Sequence, residues 1–438
     1  YESVQRYPSK PALVIGKTSY TYKELFNRVN IIAQNLSKIT QTNEQWIGVL
    51  SNKSVEIYSS ILGILQTGRG YVPLNPKFPS ERICAMIKDA GIKTLIVNLN
   101  SETEALLLTI LENFGGNEPK ILLLNPADKD ISIFYNKYQL INESLDAELI
   151  FAKVNEDSPA YLLFTSGSTG RPKGISIHQG AATIYLDHVI DHYQFSPEDR
   201  ISQFFELTFD PSVHDLFCTW SVGASLHVVA DADMWAPARF IQNHQLTVWY
   251  STPSVITTMH KMHMLKPDSF PTIKWSLFSG EALSINAVKL WEKATPHSLI
   301  ENLYGPTEAT VNITKYRWNE ATLDEAEGGI VPIGTTWSDQ LMKIISENKT
   351  EVVFGELGEL CFSGPQLAKG YWNSPEKTAA QFIEMEGKTW YRTGDLVKWS
   401  HLGNLIFKGR IDSQVKVRGF RMELQEIEYY LNLFFKVP

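Results

Sequence analysis

The chain of 438 residues is 43% hydrophobic and 20% charged, which suits packed globular units and excludes a disordered chain. Its formal charge is −8, and no cluster of Lys and Arg offsets it, which argues against a nucleic-acid or anionic-membrane surface. No apolar run approaches ~20 residues and no signal peptide stands at the start, so a membrane span is not expected. The length exceeds one ordinary core, so two or three packed units are expected. Leu25, Val29, Ile32 and Leu36 recur at helical spacing and predict a helix over residues 22–36. A strand follows at 46–50, a helix at 55–66, a strand at 95–97, a helix at 102–114 closed by Gly115-Gly116, and a strand at 121–124. This alternation implies a parallel sheet covered by helices. The rhythm resumes with a helix at about 180–192 and strands near 201–205, 225–229, 247–250 and 275–278. From about Ile330 it changes to short strands parted by Gly and Asn turns, which predicts an antiparallel, barrel-like unit. A hairpin over 414–421 and a helix from Leu424 close the chain.

Three motifs carry chemistry. The first, Thr165-Ser166-Gly167-Ser168-Thr169-Gly170-Arg171-Pro172-Lys173-Gly174, follows the apolar run Ala160-Tyr161-Leu162-Leu163-Phe164, a buried strand by its pattern. Small residues let the backbone approach a polyanion, hydroxyls donate to its oxygens, and Lys173 adds a compact positive charge. Pro172 before the lysine and Gly174 after it depart from a Walker loop, which ends Gly-Lys-Ser/Thr. The second, Asn302-Leu303-Tyr304-Gly305-Pro306-Thr307-Glu308, offers an aromatic ring to stack a planar base and a carboxylate for Mg²⁺. In the third, Tyr391-Arg392-Thr393-Gly394-Asp395-Leu396, a carboxylate behind a glycine turn can accept from vicinal hydroxyls. Each has a plainer reading as a surface turn.

Two histidine pairs, His188/His192 and His260/His263, stand at helical spacing but lack a third ligand in register; a solvated helix face is the expectation for both. Cys84, Cys218 and Cys361 lie far apart without disulfide or metal spacing, as core residues of a cytoplasmic protein would.

In this order the motifs resemble those of the adenylate-forming superfamily, which includes acyl-CoA synthetases, luciferases and the adenylation domains of nonribosomal peptide synthetases. Tyr20–Leu25, Gly68–Leu74, Phe209-Asp210-Pro211-Ser212 and Gly358-Glu359-Leu360-Cys361 fall where that family has them. Departures are Asn75, where the family has Asp, and Gln425, where it has Gly. The resemblance implies an α/β fold: two αβ-layered subdomains over about 1–325, a distorted antiparallel β-barrel over about 326–411, and the start of a small α+β lid domain at 412–438. It implies Lys173, Thr165, Ser166, Gly167, Ser168 and Thr169 on the phosphates, Glu308 on Mg²⁺ and Tyr304 on adenine. Asp395 and Arg410 would hold the ribose, and Gly280, Glu281, Asn302, Gly305 and Thr307 would complete the nucleotide site. Asp412 matches the hinge of the lid. The family's lysine that bridges carboxylate and α-phosphate has no counterpart before Pro438, so a chain of this extent is expected to bind nucleotide but adenylate poorly; the opening at Tyr1 rather than Met likewise suggests a missing N-terminal piece.

In peptide-synthetase adenylation domains the residue matching Asp210 neutralises the substrate's amino group, so the resemblance implies an α-amino acid; the plainer role for Asp210 is capping a turn before Pro211. The remaining pocket positions are Pro211, His214, Tyr250, Leu277, Ser279, Leu303, Val311 and Asn312, a mostly apolar wall that disfavours charged side chains. Tyr250, Leu277, Leu303 and Val311 resemble stand-alone L-prolyl carrier-protein ligases. The expected activity is ATP-dependent formation of aminoacyl-AMP, then transfer to the phosphopantetheine thiol of a carrier protein. A D-alanyl or other carboxylate–CoA or carrier ligase and a silent nucleotide-binding module are the alternatives.

Overall fold

The computed structural model describes residues 1–114, 118–124, 138–141, 149, 151–166, 172–417, 419–424, 427, 428 and 431. Two sheets form its frame. The first has seven strands in spatial order Tyr138–Leu140, Lys120–Leu124, Thr94–Asn98, Trp46–Leu50, Gly70–Leu74, Pro159–Thr165 and Lys173–His178. All run parallel except the last, which turns back antiparallel on Pro159–Thr165. The strands Trp46–Leu50, Gly70–Leu74 and Thr94–Asn98 are buried at every position, as a sheet clad by helices requires.

The second sheet has nine strands. Its centre, Leu299–Tyr304, Trp275–Phe278, Val248–Ser251, Arg200–Gln203 and Ser225–Val228, is parallel, as the β-α rhythm predicts. At one edge the N-terminal hairpin Pro11–Ile15/Thr18–Thr21 joins it, pairing Leu13 with Leu226. The alternation read from the first 150 residues did not foresee this crossing. It is held by contacts invisible in local patterning: Trp220 Nε1 donates to the Ala12 carbonyl at 3.0 Å, and Tyr22 OH to that of Ala224 at 2.6 Å. The helix Tyr22–Ile39 then starts at a reciprocal capping box between Thr21 and Glu24.

From Leu341 the strands are antiparallel. Leu341–Ile345, Gly358–Ser363, Lys388–Trp399, Phe382–Met385 and Leu405–Arg410 make a five-stranded half-barrel whose core is Ile344, Leu360, Phe362, Val397 and Leu405. A two-stranded hairpin, Val415–Val417 with Phe420–Met422, follows. The three cysteines are free and buried. Among the described residues no helix is long and apolar enough to cross a membrane.

Candidate functional site

The carboxyl ends of the parallel strands, the half-barrel and the C-terminal hairpin enclose a cavity of about 880 Å³. Such crevices beyond strand ends are where open α/β sheets bind ligands. Of the residues singled out in the sequence, Thr165, Ser166, Asp210, Pro211, Ser279, Gly280, Gly305, Thr307, Val311, Asn312, Asp395 and Arg410 line it. Gly167, Ser168 and Thr169 lie outside the described residues, as does Gln425. Asn75 sits away from this cavity, its amide donating to Glu206.

Thr165 and Lys173 are register partners on the antiparallel strands that flank the phosphate-loop motif. The buried Thr165 hydroxyl has no hydrogen-bond partner among the described residues. Lys173 Nζ lies 3.7 Å from Glu423 and 5.5 Å over the Tyr371 ring. Tyr371 OH in turn donates to Glu308 Oε1 at 2.8 Å, fixing a fully buried carboxylate. A Tyr hydroxyl orienting a carboxylate is the kind of support a cation ligand needs.

Next to it, Tyr304 OH donates to Asp395 Oδ2. Burial, then Asp395, pushes the Tyr304 phenol far above its ordinary value, so it stays a neutral donor. Arg410 Nη1 reaches Asp395 Oδ1 at 2.5 Å, while Nε and Nη2 fork both Asp412 oxygens at 2.7 Å each. The turn before Asp395 is braced by Glu359, which takes Arg392 at 2.6 Å and the Gly394 N–H at 3.0 Å; Gly394 has φ +73°, where a side chain is strained. Five residues expected at the nucleotide, its phosphates or Mg²⁺ are not on the cavity wall: Lys173, Glu281, Asn302, Tyr304 and Glu308. Asn302 gives its amide to the Val331 and Pro332 carbonyls, and Glu281 accepts from the Ser254 and Gly419 N–H groups.

Asp210 stands on the same cavity wall, with the Thr307 side chain hydrogen-bonded to it and Glu308 and Lys416 as charged neighbours. It precedes the helix Pro211–Val222, but its side chain caps nothing, so the plainer turn-capping role does not hold. The carboxylate is buried, its Oδ2 has no hydrogen-bond partner among the described residues, and loss of solvent raises its pKa to about 7. Behind Ser279 and Asn312 runs a buried chain. Tyr250 OH meets Ser279 Oγ at 2.6 Å, Asn312 Nδ2 donates to it at 2.8 Å, and Tyr185 OH meets His214 Nδ1 at 2.8 Å. Burial lowers the His214 pKa to about 3, so its ring is neutral. His214, Tyr250, Leu277 and Leu303 are thus behind the cavity wall rather than on it.

The wall segment 308–312 is strained. Thr310 (φ +55°) and Val311 (φ +68°) are both left-handed, at a cost of about 1–3 kcal/mol each for residues with a Cβ. Gly305 permits this arrangement, since a Cβ there would sit 2.4 Å from the Val311 carbonyl oxygen. Sequence reasoning missed Tyr185, Gln366 and Tyr371, whose roles depend on long-range contacts.

The first histidine pair departs from the solvated-face expectation. His188 stacks on Trp337 and pairs with Asp339 at 2.6 Å, and His192 bonds the buried Glu301 at 2.9 Å. His260 and His263 are exposed, as expected. No cluster of three or more metal-ligating His, Cys, Asp or Glu occurs among the described residues.

Comparisons with known proteins agree with this geometry. The family profile described as AMP-binding enzyme matches residues 1–372. The chain is 33% identical over 437 residues to zwittermicin A synthase ZmaJ of Bacillus cereus, covering 98% of this chain and 78% of that protein. It is 33% identical over 434 residues to tyrocidine synthase 3 of Brevibacillus parabrevis, of which it spans only 6% while 98% of this chain is matched. Among solved structures, the Vibrio cholerae adenylation domain AlmE, in complex with glycyl-adenosine-5'-phosphate, superposes with a TM-score of 0.89 at 33% identity, covering 99% of this chain and 82% of that one. The chain belongs to the AMP-binding enzyme family. Within it, it is an adenylate-forming enzyme of the adenylation-domain type found in nonribosomal peptide synthetases.

Proposed function

We propose that the cavity joins ATP to a small α-amino acid, L-proline first among candidates, and that the activated acid then passes to a carrier protein. In the first step a substrate carboxylate oxygen bonds to the α-phosphorus, the bond to the β-phosphate bridging oxygen breaks, and pyrophosphate leaves. In the second, the sulfur of a phosphopantetheine thiolate bonds to the acyl carbon and AMP departs with the electron pair.

The observation that carries the reading is the buried, half-unsatisfied carboxylate of Asp210 on the cavity wall. Such a group is costly unless a cation meets it, and an α-ammonium is the cation an amino acid brings. Thr165, Ser166 and Lys173 would take the leaving phosphates, with Thr169, Gly167 and Ser168 in the same loop. Tyr304 would face adenine, and Asp395 with Arg410 the ribose. Glu308, oriented by Tyr371, fits the single carboxylate that Mg²⁺ uses beside phosphate oxygens; bound there, the ion would neutralise phosphate charge. The chemistry is positioning and charge neutralisation rather than general base catalysis.

The apolar side chains of Phe205, Pro211 and Val311 on the cavity wall support a small apolar substrate. Glycine is the second reading. The Ser279–Tyr250–Asn312 chain closes the floor tightly, and AlmE, with its glycyl-adenylate, is similar at 33% identity.

The test is amino-acid-dependent ATP–pyrophosphate exchange on the complete gene product, with L-proline, glycine, D- and L-alanine, serine and valine. Exchange with L-proline alone upholds the first reading, and exchange with glycine alone the second. Dependence on D-alanine or on CoA would point to a different ligase. No exchange with any would leave a silent nucleotide-binding module.

A further inference from the structure

The strained pair Thr310–Val311 has to be held from outside, because left-handed backbone at residues with a Cβ persists only where the surroundings over-determine it. One side chain does most of that holding. Gln366, on the segment after the half-barrel strand Gly358–Ser363, is fully buried and absent from the cavity wall. Its Nε2 donates to the carbonyls of Ala309 at 2.8 Å, Thr310 at 3.0 Å and Asn312 at 2.8 Å. Its main-chain carbonyl accepts from Thr310 Oγ1 at 2.6 Å, while its side-chain Oε1 has no hydrogen-bond partner among the described residues. Trp337 adds an indole bond to the Asn312 carbonyl at 3.0 Å, and Ala368 N donates to the Glu308 carbonyl at 2.8 Å.

The consequence is geometric. Extended backbone would turn Val311 to another face, and Asn312, which anchors the Tyr250 hydroxyl, would move with it. We infer that Gln366 is a positioning residue for substrate selection: from outside the pocket, it fixes the Val311 and Asn312 side chains that bound the amino-acid side chain. The inference rests on the amino-acid reading of the Asp210 pocket, and it deepens that reading by assigning part of the selectivity to a residue that never touches substrate.

The test uses the complete gene product with Gln366→Met, which keeps the volume and removes the donors. In exchange assays KM for the preferred amino acid should rise about tenfold, and discrimination against neighbours one methylene larger or smaller should narrow by a similar factor. The ratio of amino-acid specificities, rather than kcat or KM for ATP, is the deciding readout, because Glu308 borders the clamped turn and can shift with it. A merely structural role would lower stability and leave the amino-acid ratios unchanged, and that result overturns the inference. Should Gln366→Met fail to fold, Trp337→Phe loses one of the same anchors and must narrow discrimination in the same direction; unchanged ratios count against the inference. A crystal structure of whichever variant folds separates this idea from the reading beneath it. Thr310 and Val311 leaving the left-handed region supports the clamp even if the wild-type protein exchanges with no amino acid, whereas an unmoved turn sinks it.

Discussion

The guanidinium of Arg410 grips Asp412 with two N–H groups at 2.7 Å each while a third reaches Asp395 at 2.5 Å. Asp395 and Arg410 are also direct cross-strand partners. One arginine therefore ties the proposed ribose carboxylate to the proposed hinge, two residues further along the chain.

That linkage makes the hinge testable. Asp412→Pro fixes φ and removes a backbone donor at the joint. On the complete gene product, thioester formation on the carrier should fall about tenfold or more, with adenylation within about threefold. Rapid-quench measurement of both half-reactions decides it. Equal loss in the two would remove Asp412 from the hinge role.

Asp210 should show opposite effects on stability and activity. Asp210→Asn removes a poorly paired buried charge, so unfolding should become harder by about 1–4 kcal/mol in denaturant titrations. The amino-acid KM should rise about 100-fold, since the substrate ammonium loses its partner. A variant that is less stable, or one with an unchanged KM, contradicts the assignment.

The same carboxyl predicts a pH dependence. Its native pKa is raised to about 7 from an ordinary 3.8, so between those values the native state holds a proton that the unfolded chain has lost. Stability from this group therefore falls as pH rises through that window and levels off above it, a difference of about 4 kcal/mol. Amino-acid binding demands the ionised form, so near pH 6 binding should release a proton and weaken, and near pH 8 it should not. Calorimetry in two buffers of different ionisation heat reads the proton directly.

Tyr371→Phe removes one hydrogen bond to the Glu308 carboxylate without touching the cavity. The Mg²⁺ concentration for half-maximal exchange should rise about fivefold to tenfold, with the amino-acid KM unchanged. A shift in the amino-acid KM instead would place Glu308 elsewhere in the mechanism.

Gly305→Ala introduces a Cβ 2.4 Å from one backbone atom and 2.6 Å from another. Neither can swing aside as a flexible side chain could. The variant should lose about 3 kcal/mol or more of stability, read as the midpoint of denaturant unfolding. A wild-type midpoint would show that segment 311–313 moves freely.

Short-range chemistry was readable in the chain. The strand Pro159–Thr165, the helix Val55–Gln66 and the barrel-like change of rhythm each follow from periods and turn residues confined to a few positions. Asp210 was legible because a family motif marks it. What escaped were partnerships across long separations: Leu13 with Leu226, His192 with Glu301, Gln366 with the turn at 309–312. Asn302 and Glu281 look like ligand residues by position, yet their hydrogen bonds go to the backbone, a fact that depends on where loops 331–332 and 419 arrive. Periodicity reports which face is buried, not who stands opposite.

The insertion of Pro11–Ile15 into the second sheet bears on how the molecule is made. Leu13 leaves the ribosome before its neighbour Leu226, which emerges only after the whole first sheet. During synthesis the N-terminal hairpin is a displayed edge waiting for a strand that does not yet exist, and such edges invite mispairing. A cut between the two sheets would accordingly not yield two independent halves, because the second would lack the strands Pro11–Ile15 and Thr18–Thr21.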